Sequence, residues 1–349
     1  MTARRLSRML GPGAKSWLSD AASLFGLYRV AGRRYGGVGL IFALHRVTRP
    51  GVPLLWPGYE VAVDQLSRVL VETRRLGFEI VSLDEVHRRL TEGEHRTPFA
   101  AFTFDDGYAD NLHLALPVFR EHRAPLCVYV ATGLVERTAS YWWGALADVV
   151  HAHDHIRLPE PVPGLPAELE AATLPQKRHA YDTLNDFLHV APPSVAEQIF
   201  RAHGVDASAV LDRDLLSVAQ VRELAAEPLV TIGAHGVRHR PLSALDASDC
   251  AEELAASRRI LEGWVQRPVV HLAYPFGGPA ACGRREFELA RSAGYATAVT
   301  TRRGNLFPSH REHLHGLPRR EIPLDRLRLR HALYGIESLV RRDPLVQLG

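Results

Sequence analysis

The feature that most constrains the fold of this chain is a repeated alternation of short apolar runs with amphipathic helical stretches. Apolar runs at 39–45, 78–82, 98–104 and 126–131 are separated by segments in which apolar residues recur at helical spacing. Such alternation is typical of parallel strands joined by helices, because parallel neighbours need a long crossover connection. The sequence therefore predicts an α/β protein.

Two adjacent carboxylates follow the third of these runs. Asp105 and Asp106 stand at its end, and Gly107 comes next. Successive strand residues point to opposite faces, so a turn must bring the two acids together, and glycine permits such a turn. The alternative interpretation is an ordinary strand-to-helix turn in which Asp110 or Asn111 caps the next helix.

A pair of histidines follows a later strand, predicted at 229–234. His235 comes directly after that strand, and His239 lies four residues further on. This spacing lets two imidazoles face one centre on a helical turn or in a tight loop, as in many zinc sites. The pair alone is weak evidence for a metal site in a chain with 18 histidines. Its position directly after a strand strengthens that evidence, because α/β barrels carry their catalytic groups at the ends of their strands.

Together these residues resemble a known family. The stretches 103–107 (Thr-Phe-Asp-Asp-Gly), 235–239 (His-Gly-Val-Arg-His) and 273–277 (Ala-Tyr-Pro-Phe-Gly) are similar to motifs of polysaccharide deacetylases with the NodB homology domain, the group related to carbohydrate esterase family 4. The likeness extends from about 38 to 320. It implies a distorted (β/α) barrel of NodB type, with seven parallel strands expected. It also implies metal-dependent removal of acetyl groups from sugars.

The resemblance further implies distinct roles for the residues of the first two motifs. Asp106, His235 and His239 would hold a divalent metal, with Zn²⁺ expected and Co²⁺, Ni²⁺ or Mn²⁺ as alternatives. Such a ligand set leaves open positions on the metal, as catalytic sites do. Asp105 would then be the general base.

Other site residues are predicted from their position near the end of the barrel that carries the two motifs. The general acid is predicted at His315, with His313 as the alternative, and a backbone amide near Phe276 would stabilise the oxyanion. The predicted substrate contacts are Tyr274, Pro275, Phe276, Arg319 and His45. Family members commonly carry a base-orienting arginine where this chain has Ala273, and Arg319 is the predicted substitute.

The segment between the two motifs is too long for one strand-helix repeat. We predict a barrel over 35–340 with a helical insertion at about 140–216, including helices at 174–188 and 194–203. The insertion is expected to shape the substrate groove. Its opening aromatic residues, Trp142 and Trp143, have two interpretations, sugar stacking or lid packing, of which packing is favoured.

Residues 1–34 are predicted to form a basic amphipathic helical segment. Up to Arg49 the chain has nine basic residues and one acid, Asp20, and apolar residues such as Trp17 and Phe25 recur at helical spacing. Such a helix can lie in an anionic membrane interface. The alternative, which is favoured, is a helix packed on the barrel with its charges in solvent.

Composition excludes several classes of protein. A net charge of +3 without a basic run interleaved with aromatics argues against nucleic acid. Three cysteines without paired spacing argue against a disulfide framework. No apolar segment reaches the roughly 18 residues of a membrane span, and no secretory signal is evident. We therefore expect a cytoplasmic protein. If residues 1–34 bind the membrane interface, it would also contact the inner face of the membrane.

The predicted function is deacetylation of a sugar, at nitrogen in preference to oxygen, in polysaccharide, capsule or glycolipid assembly. The substrate would be an acetylated carbohydrate or a lipid-linked sugar. The alternatives are a deformylase acting on a lipid-linked sugar and a carbohydrate-binding barrel without activity. The presence of both aspartates and both histidines argues against the latter.

Overall fold

The computed structural model describes residues 32, 35–94, 96–159, 161–162, 164–189 and 191–336. Within them the strands are β1 (Gly39–Leu44), β2 (Arg46–Thr48), β3 (Glu60–Ala62), β4 (Glu79–Ile80), β5 (Phe99–Phe104), β6 (Leu126–Val130), β7 (His155–Arg157), β8 (Glu168–Glu170), β9 (Val230–Ala234), β10 (His271–Ala273), β11 (Thr297–Arg303) and β12 (Leu317–Glu321). The α-helices are α1 (Val63–Arg75), α2 (Leu83–Glu92), α3 (Leu116–Glu121), α4 (Thr132–Val135), α5 (Trp142–Ala152), α6 (Leu174–Leu188), α7 (Pro193–Ala202), α8 (Ala207–Asp214), α9 (Val218–Ala225), α10 (Ala247–Val265), α11 (Arg284–Ser292) and α12 (Arg326–Leu333).

Seven parallel strands close into a barrel in the order β1-β12-β11-β10-β9-β6-β5. The barrel closes where β1 pairs with β5, from Gly39 opposite Phe99 to Leu44 opposite Phe104. β4 lies outside this ring and pairs with the start of β5. The ring is uneven, because β10 has three residues and pairs with β9 through a single residue pair. The predicted distorted barrel of seven parallel strands is thus confirmed.

The barrel wall is apolar on both sides. In β5, Ala100, Phe102 and Phe104 pack outward with helix residues, whereas Phe99 and Ala101 belong to the cluster inside the barrel. Side chains alternate between the two faces of a strand, and the surrounding helices cover the outer face. The strands therefore read as continuous apolar runs in the sequence.

Local capping chemistry sets where the helices begin. A capping box of Ser217 and Gln220 opens α9, where the Ser217 hydroxyl accepts from the Gln220 amide and the Gln220 side chain accepts from the Ser217 amide. The Ser82 hydroxyl accepts from the Glu85 amide at the start of α2. These caps satisfy amides that have no partner within a helix.

Between β6 and β9 the chain leaves the barrel and forms α5 to α8 with the antiparallel β7–β8 hairpin. This insertion has its own apolar cluster, which also takes in Leu55 and Trp56 from the segment between β2 and β3. The guanidinium of Arg178 donates to the Leu54 carbonyl at 3.2 and 2.9 Å. The insertion is therefore anchored to a loop at the carboxyl end of the barrel. Its helix α6 agrees with the helix predicted at 174–188.

A partly buried charge network also joins the insertion to the barrel. Arg46 of β2 contacts Asp110 and Asp214, in each case at 3.2 Å between nitrogen and carboxylate oxygen. The hydroxyl of Tyr141 donates to the same Asp214 carboxylate at 3.1 Å. Because Asp214 ends α8 of the insertion and Asp110 follows β5 of the barrel, the network connects the insertion to the barrel.

The stretch that carries His315, which is predicted from the sequence to lie near the catalytic rim, runs elsewhere in the barrel. Leu306 forms a bridge with Gly39, at the start of β1. β12 begins at Leu317, so His310 and His315 lie before the amino end of that strand. The prediction failed because Leu-Pro-Arg-Arg-Glu carries three charges and does not read as a buried strand.

His310 is expected to make the fold sensitive to acid. Burial lowers its pKa to about 4, and its Nδ1 accepts from the Phe307 amide at 2.9 Å. The unfolded chain takes up a proton near the ordinary pKa of about 6.5, so the free energy of unfolding falls as the pH drops from 6.5 to 4, by about 3 kcal/mol in total.

His310→Asn keeps an acceptor at this position and removes the titration. We therefore expect its urea midpoint to depend less on pH between 7 and 4 than that of the wild type. His179→Asn, at an exposed position of α6, is the control and should follow the wild type. Parallel pH dependence of all three proteins would contradict the assignment.

The predicted helical segment 1–34 lies outside the described residues apart from residue 32. The described part of the chain ends at residue 336, shortly after α12. None of the helices in the described part of the chain has the length and hydropathy that a membrane span requires.

Candidate active site

The two motifs meet at the carboxyl end of the barrel. Asp105 and Asp106 follow β5, and His235 follows β9, two strands away in the ring. Asp106 and Gly107 have φ of 75° and 82°. Two consecutive left-handed residues reverse the chain sharply, and aspartate is one of the few side chains that tolerates this conformation. The turn expected at Gly107 therefore begins one residue earlier.

Asp106, His235 and His239 form a cluster whose possible ligand atoms all lie within 4.8 Å of one another. Oδ1 of Asp106 lies 3.3 Å from Nε2 of His235 and 3.1 Å from Nε2 of His239. Burial alone would raise the pKa of Asp106, but the two imidazoles outweigh it and hold that pKa well below its usual range. Asp106 is therefore an ionised carboxylate.

A divalent metal fits this cluster. Oδ1 of Asp106 is buried and has no hydrogen-bond partner among the described residues, although two imidazole nitrogens converge on it. One carboxylate and two imidazoles are ligands that catalytic zinc sites use, and they leave positions for water and substrate. Nδ1 of His235 donates to the Ala273 carbonyl at 2.8 Å. Such outer hydrogen bonds orient ligating histidines.

Asp105 is paired with Arg319 beside this cluster. The Arg319 guanidinium donates to both carboxylate oxygens, at 2.7 and 2.6 Å, and also to the Thr103 hydroxyl at 3.0 Å. Burial would raise the pKa of Asp105, but the arginine outweighs burial and holds the pKa below its usual value. Asp105 is thus an ionised carboxylate with a fixed orientation.

The prediction that Arg319 contacts the substrate is therefore wrong. It is fully buried in β12, below Asp105. Its geometry fits the alternative expectation, in which it replaces the arginine missing at Ala273.

Both aspartates open into a cavity of about 600 Å³ at the barrel mouth. The barrel side contributes His45, Arg46, Trp56, Tyr59, Glu60, Asp105, Asp106, Tyr108, His235, His239, Phe276 and Thr301. The insertion contributes Trp142, Trp143, Tyr181, Asn185, Asp186 and His189. Two of the predicted contacts, His45 and Phe276, are thus on the cavity wall.

Three further predictions are corrected by the structure. His315 lies before β12, and its Nε2 donates to the Tyr295 carbonyl at 2.8 Å. That is the opposite end of the barrel from Asp105, so His315 does not supply the general acid. Tyr274 is fully buried and donates to the His315 carbonyl at 2.8 Å. Neither Tyr274 nor Pro275 lines the cavity.

For several cavity residues, nothing in the sequence indicates that they belong to the site. Trp56 and Tyr59 lie in a loop before β3, and Asn185 and His189 lie near the end of α6. Their position depends on how the insertion folds back over the rim. Tyr108 is the exception, because it stands two residues after Asp106 within the first motif.

Comparison with known proteins supports the same family. The family model described as polysaccharide deacetylase matches residues 92–298 of this chain of 349. No curated protein matches the sequence.

Solved structures share the barrel. Streptococcus pyogenes deacetylase PplD in complex with acetate has 17% identity and a TM-score of 0.53, over 87% of this chain and 97% of that chain. IcaB from Ammonifex degensii has 16% identity and a TM-score of 0.55, over 85% and 96%. The deacetylase domain of BpsB from Bordetella bronchiseptica has 16% identity and a TM-score of 0.50, over 80% and 94%. At these identities the likeness shows the fold alone, whereas the family model covers more than half of the sequence. The chain therefore belongs to the polysaccharide deacetylase family.

Proposed function

We propose that this protein is a metal-dependent deacetylase that hydrolyses an acetyl group, on nitrogen in preference to oxygen, from a sugar unit of a glycan. The main support is the cluster of Asp106, His235 and His239 beside the ionised Asp105. Membership of the family and the acetate complex of the similar PplD agree with this chemistry. The pathway would be polysaccharide, capsule or glycolipid assembly.

Asp105 and Asp106 have different roles in the proposed reaction. Asp106, with the two histidines, would hold a divalent ion, which when bound supplies Lewis-acid chemistry by activating water and polarising the acetyl carbonyl. Asp105 lies at the edge of this cluster and accepts the proton that the attacking water gives up. Arg319 keeps the carboxylate of Asp105 ionised and aimed at the cavity, since it binds both oxygens.

The segment after β10 has features that support a role in stabilising the oxyanion. Phe276 lines the cavity and has φ of 62°, a conformation that bulky side chains rarely adopt. Strained backbone of this kind is often held at functional sites. We propose that a backbone amide of this turn donates to the developing oxyanion.

A proton must then reach the departing amine, and the position of His45 supports this role for it. It follows β1 at the same rim as Asp105 and lines the cavity. Its Nδ1 is buried without a hydrogen-bond partner in the described part of the chain, and its ring packs on Tyr59 at 4.9 Å between centroids. Burial lowers the pKa of His45, so we propose that the neutral ring takes up the proton that Asp105 accepts from the water and delivers it to the departing amine, in place of His315.

The cavity walls support a glycan substrate. The volume of about 600 Å³ leaves room for a sugar unit beside the acetyl group. The aromatic rings among its walls offer flat apolar faces, and the side chains of Asn185 and Asp186 offer hydrogen bonds at its edge. Cytoplasmic residence and membrane contact through residues 1–34 stay predictions.

The test is product release by the purified full chain. We would supply zinc or cobalt and a panel of N-acetylated oligosaccharides, O-acetylated oligosaccharides and formylated lipid-linked sugars, and measure acetate and formate. We expect acetate from the N-acetylated glycans and its loss on chelation. Formate alone would support the deformylase alternative, and failure to release either product from the panel would contradict the proposal.

A further inference from the structure

The two histidines of the metal cluster are held in different ways. Nδ1 of His235 donates to the Ala273 carbonyl, as is usual for a ligating imidazole. Nδ1 of His239 is buried and has no hydrogen-bond partner among the described residues. The backbone of His239 has φ of 51°, a left-handed conformation that is uncommon for residues other than glycine. Beyond the contact of its Nε2 with Asp106, the orientation of this ring therefore depends on packing rather than on a hydrogen bond at Nδ1.

Two aromatic side chains pack on the imidazole of His239. The Trp143 ring lies 4.9 Å from it between centroids, inclined by 38°. The Phe276 ring also lies 4.9 Å away, inclined by 54°. Aromatic contacts at this range are favourable and depend on ring geometry. Phe276 belongs to the barrel, whereas Trp143 belongs to α5 of the insertion.

Trp143 is itself fixed from several sides. Its Nε1 donates to the Tyr108 hydroxyl at 3.0 Å, two residues beyond the ligand Asp106. Its backbone carbonyl accepts from the Tyr181 hydroxyl at 3.3 Å. The Tyr141 ring packs on it at 4.9 Å between centroids. Trp143 therefore links the turn that carries one ligand to the ring of another.

We propose that Trp143 is a positioning residue that orients the metal ligand His239, so that the insertion supports the metal site as well as the substrate. This inference rests on the proposed function in that it takes the cluster to hold an ion. It differs from the sequence-based expectation, which gives the insertion a role in the substrate groove alone. It also differs from a role for Trp143 in sugar stacking, which would change substrate binding and leave metal affinity intact.

The test compares metal affinity in full-length variants that have been freed of metal with a chelator. Cobalt is titrated into the wild type, Trp143→Ala and Trp143→Phe, and the absorption of the bound ion and the dissociation constant are recorded. We expect Trp143→Ala to weaken affinity by about 10- to 100-fold, the usual effect of losing a group that orients a ligand. Trp143→Phe keeps a ring and should lose less. Circular dichroism of the metal-free proteins checks the fold.

Trp142→Ala is the matched control. Trp142 lines the same cavity and packs on His189 and, edge-on, on Trp143 at 5.8 Å between centroids, whereas Trp143 packs on His239 itself. Its loss should therefore raise KM for a glycan and lower the cobalt affinity much less than the loss of Trp143. Wild-type affinity in both Trp143 variants would overturn the inference, as would an equal loss of affinity in Trp142→Ala. A wild type that binds no cobalt would contradict the proposed function itself, and this inference with it.

Discussion

Asp105→Asn is expected to lower the rate of acetate release by about 10²- to 10⁴-fold, the usual contribution of a general base, while the protein keeps its metal. The side chain of Asp105 is bound by Arg319 and lies outside the cluster of ligand atoms. An amide of the same shape still accepts a hydrogen bond from Arg319 but cannot accept the proton of the attacking water. The loss should therefore appear in turnover.

Asp106→Asn is the matched control, one residue along the same turn. Its amide removes the negative charge on which both imidazoles converge. We expect metal content and activity to fall together, as they should in His235→Ala and His239→Ala. Metal analysis of each purified variant beside its rate makes the comparison. If Asp105→Asn lost the metal and Asp106→Asn kept it, the two roles would be reversed.

Arg319→Leu is expected to destabilise the fold by roughly 3–5 kcal/mol, because it leaves the buried Asp105 carboxylate without its partner. Arg319 and Asp105 are both buried, and two parallel hydrogen bonds join them. Urea unfolding measures the loss. Arg284→Leu is the control, since the ion pair that Arg284 forms with Glu288 is exposed and should contribute about 1 kcal/mol or less. Similar losses in both variants would contradict the buried-pair interpretation.

The same variant should change the pH dependence of activity. In the wild type, Arg319 holds the pKa of Asp105 below its usual value, so the base stays ionised, and its stabilising effect is present above about pH 4 and lost as the pH falls further. Without the arginine, burial raises that pKa. The acid limb of the rate profile should therefore move to higher pH in any folded Arg319→Leu protein, and an unmoved limb would argue against Asp105 as the base.

The barrel and the two motifs could be predicted from the sequence because their signals are local. Strand β5 is a continuous apolar run, and Asp105, Asp106 and His235 each follow directly from a strand end. Parallel strands bring their carboxyl ends to one rim, so residues more than a hundred positions apart could be assigned to one site.

The remaining site residues depend on packing between distant segments. β12 is buried although it carries three charged residues, because Arg319 meets Asp105 and Arg320 meets Asn305 inside the protein. A strand with this many charges is not recognised from the sequence, and the prediction therefore puts His315 at the wrong end of the barrel. The contact between Trp143 and His239 likewise arises only when the insertion folds back over the rim.

Metal reconstitution tests most directly whether the cluster of Asp106, His235 and His239 drives deacetylation. Chelator-treated wild type and Asp106→Asn would be titrated with zinc while acetate release from an N-acetylated oligosaccharide is followed. We predict that the wild type loses activity on chelation and regains it with saturation at one ion per chain, whereas Asp106→Asn regains none. Full acetate release from the metal-free wild type, or equal recovery in Asp106→Asn, would contradict the account.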